Sequence, residues 1–226
     1  MISKRFIVCA IFAIGIIAGC SSTRTIQVPV DPRVDLSQYN SVGLVMFTSN
    51  GADEQTCRLA TQQFLEAVQA AQPGTRVVEL GTESQVLASV DRKRFDVKSL
   101  QAILETHGVD AVIMGRFDMQ RSKPDISLST MLKTMSVSSD VEGMLSAKII
   151  ETESGATMWS DSSKMTVNVG GAQFDSKGRG EFGVTDPEAV YGEMIGCLVD
   201  EITDDFCVHY ITKRVPKDTP QTASAE

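Results

Sequence analysis

Hydrophobic and polar positions divide this chain into regimes of different spacing. Residues 6–18 (FIVCAIFAIGIIA) form one apolar run behind Lys4 and Arg5. The run is shorter than the roughly 20 apolar residues that cross a bilayer core. Residues 21–40 are polar, carry Pro29 and Pro32, and read as a tether. Residues 41–48 (SVGLVMFT) predict a buried strand, and Asn50-Gly51 a turn. Asp53 is placed to cap a helix to about Ala71. Its apolar stripe (Cys57, Ala60, Phe64, Ala67, Val68 and Ala71) keeps helical spacing. Pro73-Gly74 stops that helix. Residues 76–80 (RVVEL) predict a second strand and 82–90 a short helix. Residues 97–107 predict a clearer helix, with Leu100, Ile103 and Leu104 apolar and Gly108 supplying a left-handed end. Residues 109–117 (VDAVIMGRF) predict a third strand.

Beyond that strand the period becomes two. Residues 118–140 are polar, rich in Ser, Thr and Met, and give no clear assignment. Residues 141–151 alternate as a strand, 153–156 turn, and 157–169 return, with Trp159 near the start. Residues 170–185 read as a Gly-rich loop. Asp186-Pro187 opens a final helix to about Tyr210, with Val190, Met194, Leu198, Ile202 and Phe206 on one side. The order is β-α-β-α-β, then a β-hairpin, then a C-terminal helix. This is an α/β fold with a mixed sheet flanked by helices. The division expected is a signal peptide over 1–19, a tether over 20–40, one α/β domain over 41–212 and a disordered tail over 213–226.

The amino terminus carries the most specific signal. A basic start, a short apolar run and Ile17-Ala18-Gly19-Cys20 make a signal peptide. The last four residues resemble the lipobox of bacterial lipoproteins. That resemblance implies cleavage before Cys20 and acylation of its thiol and amino group. Three acyl chains exceed the two signals that stable anchoring needs. Ser21 and Ser22 resemble the outer-membrane sorting pattern. After cleavage 19 Lys and Arg remain against 29 Asp and Glu, a net charge of −10. An acidic chain with scattered charge argues against a nucleic-acid partner.

Candidate chemistry is sparse. Of five cysteines, Cys9 leaves with the signal and Cys20 takes lipid, leaving Cys57, Cys197 and Cys207. Cys197 and Cys207 lie ten apart on one predicted helix, about 15 Å along its axis, too far to bridge. A disulfide therefore joins Cys57 to Cys197 or Cys207, or all three are small buried hydrophobes. His107 and His209 are both expected in the last turns of helices, where a cation suits the dipole. No CxxC or HExxH pattern occurs, so no metal site or cofactor is expected. Gly178-Arg179-Gly180-Glu181-Phe182-Gly183 fits GxGxxG in letters only. It lies late in the chain, outside a βαβ unit, and reads as a flexible hairpin tip. No serine is tied to a base, and no catalytic residue is assigned. Trp159 and Phe117 are expected in the core. Met131, Met135 and Met144 suggest adaptable packing or, with the polarity of 118–140, a partner surface.

Four segments carry a wider likeness: residues 35–45 (DLSQYNSVGLV), 109–115 (VDAVIMG), 147–159 (AKIIETESGATMW) and the closing helix. In order and spacing they resemble a superfamily of bacterial envelope lipoproteins. It includes the curli-secretion channel (CsgG-like) lipoproteins, the penicillin-binding-protein activator LpoB, the export lipoprotein PelC and the amino-terminal domain of TolB. The resemblance covers residues 35–210. It implies a non-enzymatic assembly or secretion factor of the envelope, anchored in the outer membrane through Cys20 with its domain in the periplasm. It also implies protein partners or a homo-oligomer. One alternative is a pore-forming subunit, whose hairpins would come from 116–147 and 160–185. The other is an activator of cell-wall synthesis.

Overall fold

The computed structural model describes residues 23–121, 125–129, 134–174, 180–183 and 187–216, with side chains described outside 121–139 and 169–188. The chain divides into two units, residues 32–207 and a smaller one built from its two ends. The signal segment, Cys20 and residues 217–226 lie outside the described residues.

In the larger unit β2 (Val42–Val45) lies between β3 (Val77–Gly81) and β4 (Ala111–Arg121), parallel to both. Antiparallel pairing then adds β6 (Thr134–Glu151) to β4, β7 (Thr157–Phe174) to β6 and β8 (Gly180–Gly183) to β7. β5 (Asp125–Ser129) continues the line of β4 along β6, completing a seven-stranded mixed sheet among the described residues. Both parallel connections carry helices, as right-sized crossovers require.

The helices form where their caps and apolar stripes place them. In α1 (Glu54–Ala71) Asp53 accepts from the Thr56 N–H, and Cys57, Ala60, Phe64 and Val68 are buried. In α2 (Glu83–Ser89) Thr82 and Gln85 close a capping box. In α3 (Val97–His107) Asp96 and Ser99 do the same, and Gly108 ends the helix in the left-handed region at φ 65°. α4 (Pro187–Thr203) begins at its proline.

The sheet buries both faces here. On one side Leu44, Ile113, Phe117, Leu145 and Ile149 pack with Phe64, Val68, Ile195, Leu198 and Phe206. On the other, Val45, Val112 and Ile150 pack with Val86, Leu100 and Ile103. The polypeptide is thus α/β, a mixed sheet flanked by helices.

Several boundaries differ from expectation. The last helix stops at Thr203, followed by a 3-10 turn over Asp204–Phe206. Two acids at a helix carboxyl end oppose the dipole. Asp205 instead accepts from Arg33 (2.9 Å) and from the Trp159 indole N–H (3.0 Å). Cys207 and His209 are therefore not helical, and the fixed axial separation of Cys197 and Cys207 does not apply. The tether is also shorter than expected. Val34 and Leu36 enter the core, and Gln72 donates to the Val34 carbonyl.

In the smaller unit β1 (Thr23–Val30) pairs antiparallel with β9 (His209–Pro216), from Thr23 opposite Pro216 to Val30 opposite His209. Neither strand was visible locally, because each partner lies more than a domain away in sequence. His209 is an exposed strand residue.

Candidate membrane and partner surfaces

The long antiparallel strands hold the least expected feature. Residues 118–140 and 170–185, read from sequence as unassigned and as loop, contain β5, the start of β6, the end of β7 and β8. Their register is regular. Ile126 lies opposite Val137 and Leu128 opposite Met135. Val137 pairs with Ala172 and Met135 with Phe174. Ala172 pairs in turn with Phe182. In a sheet, directly opposed residues share a face and successive residues alternate. The register therefore gathers these seven apolar residues on one face of the four-stranded order β5-β6-β7-β8. Ser127, Ser136, Ser138, Gln173 and Glu181 fall on the other, as does Asp125, which pairs with Ser138.

That apolar face continues the one buried under α1 and α4. Between Ser138 and Asp140 the partner on β7 steps from Gly171 to Asn168, three residues against two. The extra residue is on β7, and β6 keeps its alternation from Met135 to the buried Val141, Leu145, Ala147 and Ile149. The helix cover does not reach as far. α4 lies on β6 at Gly143, where a Cβ would meet the Met194 sulfur and Cε at 2.8 Å. Phe206, in the turn after its carboxyl end, stacks on Trp159, opposite Ile149, so its amino end points toward Met135. From Met194 back to Pro187 is about 10 Å of helix, whereas Gly143 to Met135 is about 27 Å of strand. Among the described residues no helix is long and apolar enough to cross a membrane, a finding that leaves strands untested.

A second surface is the polar stretch of the opposite face, beyond the Val112 and Ile150 cluster, on β4, β6 and β7. Arg116 pairs with Asp118 through both carboxylate oxygens (2.8 and 2.7 Å), and Lys164 with Glu142 (2.8 Å). Met144 and Met158 are exposed at 40% and 51%. A cleft of 570 Å³ lies here between Arg116, Lys148, Ser160 and Asp161. Another, of 480 Å³, opens where β2 and β3 end, between Phe47, Cys57, Thr82 and Leu87.

The structure places the remaining candidate residues singly. Cys57, Cys197 and Cys207 are all free thiols, Cys57 buried on α1 and Cys197 exposed on α4. Burial pushes the Cys57 thiol up from its ordinary value, against a Ser49 hydrogen bond that lowers it. His107 does end α3, and its Nε2 lies 2.9 Å from Ser89 Oγ. Ser89 also donates to the Val86 carbonyl (2.7 Å), so its proton is committed to the backbone. Phe117 is buried, and Trp159 is half-buried against Phe206. Met131 and Gly178-Arg179 lie outside the described residues. Gly180–Gly183 is strand β8 and not a tip. No group of three or more His, Cys, Asp or Glu among the described residues is placed to hold a metal.

Sequence reasoning missed Ile126, Leu128, Val137, Phe174 and Phe182. The signal was present in 125–129 (DISLS) and 134–138 (TMSVS). Each alternating run is only five residues long, and 130–133 breaks the parity between them.

No protein-family model matches this chain, and no curated protein matches it. Its fold is similar to that of several solved structures. A neuraminyllactose-binding hemagglutinin homolog from Helicobacter pylori has a TM-score of 0.48 at 13% identity, over 74% of this chain and 84% of that one. A PelC dodecamer from Paraburkholderia phytofirmans gives 0.39 at 11%, over 82% and 98%. The LpoB C-terminal domain from Salmonella enterica gives 0.35 at 11%, over 60% and 84%. These neighbours are what the chain resembles, and at such scores they do not bear on its activity.

Proposed function

We propose that this protein is a non-enzymatic envelope lipoprotein, held to the outer membrane through Cys20, and that copies of it assemble into a secretion pore. One observation carries the pore: the register that puts Ile126, Leu128, Met135, Val137, Ala172, Phe174 and Phe182 on one face and Ser127, Ser136 and Ser138 on the other. Strands of a transmembrane barrel alternate in this way, apolar toward lipid and polar toward the lumen. Asp125 and Glu181 fall on the lumen side.

The same geometry demands self-association. In the described residues β5 and β8 are the outer strands of this arm, and each offers a row of N–H and C=O groups along one edge. Hydrocarbon supplies no partner for such groups, each costing several kcal/mol, so open edges do not persist in lipid. Pairing β5 of one copy with β8 of the next closes the sheet, and four strands per copy means at least two copies in the smallest known barrels. β6 and β7, 18 residues each, are long enough to cross the bilayer while the α/β body stays in water.

Imaging the full lipidated chain purified in detergent tests the reading. The expected result is closed rings with a detergent belt around the end bearing β5 and β8. Monomers with no belt, and no leakage from vesicles that contain the protein, would overturn the pore in favour of a scaffold or an activator of cell-wall synthesis.

A further inference from the structure

We infer that the ribbon of β1 and β9 lies on the membrane surface and binds anionic lipid headgroups. The inference rests on the anchor at Cys20 proposed above. β1 begins three residues after that cysteine, so at most about 10 Å of extended chain separates the acyl chains from Thr23.

The ribbon is built for such a surface. Val28 lies opposite Ile211, Ile26 opposite Lys213 and Arg24 opposite Val215. These six residues share one face, apolar through the middle, with Lys213 exposed and Arg24, Ile26, Val28 and Val215 half-buried. Thr25, Gln27, Thr212 and Arg214 lie on the other. Ile211 is 42% exposed and its neighbour Val30 41%. A two-stranded ribbon is marginal in water without something to cover its apolar face. A bilayer interface supplies apolar contact below and phosphate above. Long cationic side chains lay their stems along the first and reach the second.

Charge separates this ribbon from the rest of the chain. Its sixteen residues carry Arg24, Lys213 and Arg214 and no acid. The mature chain outside it has 16 Lys and Arg against 29 acids. An anionic surface therefore attracts the ribbon and not the acidic remainder of the chain. Anchors of this kind combine an acyl signal with a basic patch.

The test uses the mature full chain with Cys20→Ser, which has no lipid, mixed with vesicles of phosphatidylcholine alone or with a third phosphatidylglycerol. The expected result is preferential binding to the anionic vesicles that fades with added salt. Lys213→Gln, at an exposed position on that face, should bind them about 5-fold more weakly, with binding to neutral vesicles unchanged. Equal binding by the Lys213→Gln variant and its parent, or no preference between the two vesicle types, would overturn the inference. Mass analysis of the native amino-terminal peptide reads the Cys20 lipid independently. An unlipidated native peptide alongside salt-sensitive vesicle binding would end the anchor reading and leave the ribbon standing.

Discussion

Replacing Phe206 by Ala probes the corner that fixes where the last helix ends. Phe206 is fully buried. Its ring meets Trp159 edge-on at 5.0 Å and 74°, and Phe64 at 6.1 Å and 89°. Removing a fully buried Phe ring from a core costs about 3–5 kcal/mol, the aromatic pairs supplying about 0.5–1.5 kcal/mol each. Against a total of about 5–15 kcal/mol for a domain, that is a large fraction. Trp159 is the chain's one tryptophan, so its emission reports on the contact itself. Urea unfolding followed by that emission should give a loss of about 3–5 kcal/mol and a native spectrum shifted to the red. Asp205→Ala removes the acceptor of the Trp159 indole N–H and should cost less, about 1–3 kcal/mol. A loss under about 1 kcal/mol for Phe206→Ala, with native emission unchanged, would show that this corner does not hold the body together.

Three further outcomes follow from the same geometry. Val137→Arg should weaken membrane assembly by about 2–4 kcal/mol per copy, while Ser136→Arg one residue away should leave it nearly unchanged, as read by ring yield in detergent. In native protein a thiol reagent should modify the exposed Cys197 first and spare Cys57 until urea unfolds the chain, as followed by peptide mass. Asp53 and Asp96 accept backbone hydrogen bonds at helix starts, and these hold both carboxyls below their ordinary value. Their contribution is present above the unfolded carboxyl pKa, about 4, and is lost as pH falls through the lower folded values. Asp53→Asn keeps a capping oxygen without the titration, so its urea midpoint should fall less steeply than the parent's between neutral pH and about pH 3.

Sequence alone made the α/β half legible because its signals are local. Asp53, Thr82 and Asp96 cap helices within three residues, Gly108 ends one, and the stripe from Cys57 to Val68 has one period throughout. The rest depended on distant partners. The strand character of Thr23–Val30 is meaningful only opposite His209–Pro216, and Pro29 argued for a tether instead. The end of α4 was misplaced because Val190 to Phe206 keep helical spacing, whereas the competing force, Asp205 bonding to Trp159 and Arg33, lies in tertiary structure. The distal strands were hidden by their own composition. Serine between apolar residues reads as loop until the register shows Ser127, Ser129, Ser136 and Ser138 on one face.

The account stands on the two faces of the β5-β6-β7-β8 arm, and nitroxide scanning measures them directly. Single labels at 135, 136, 137 and 138 are placed in the lipid-reconstituted full chain, with Cys57, Cys197 and Cys207 replaced by Ala. Accessibility to oxygen, which concentrates in lipid, is compared with that to a water-soluble nickel chelate. The account predicts strict alternation, with 135 and 137 open to oxygen and 136 and 138 open to nickel. Four positions equally open to nickel would mean that the arm stands in water, and the pore would be lost.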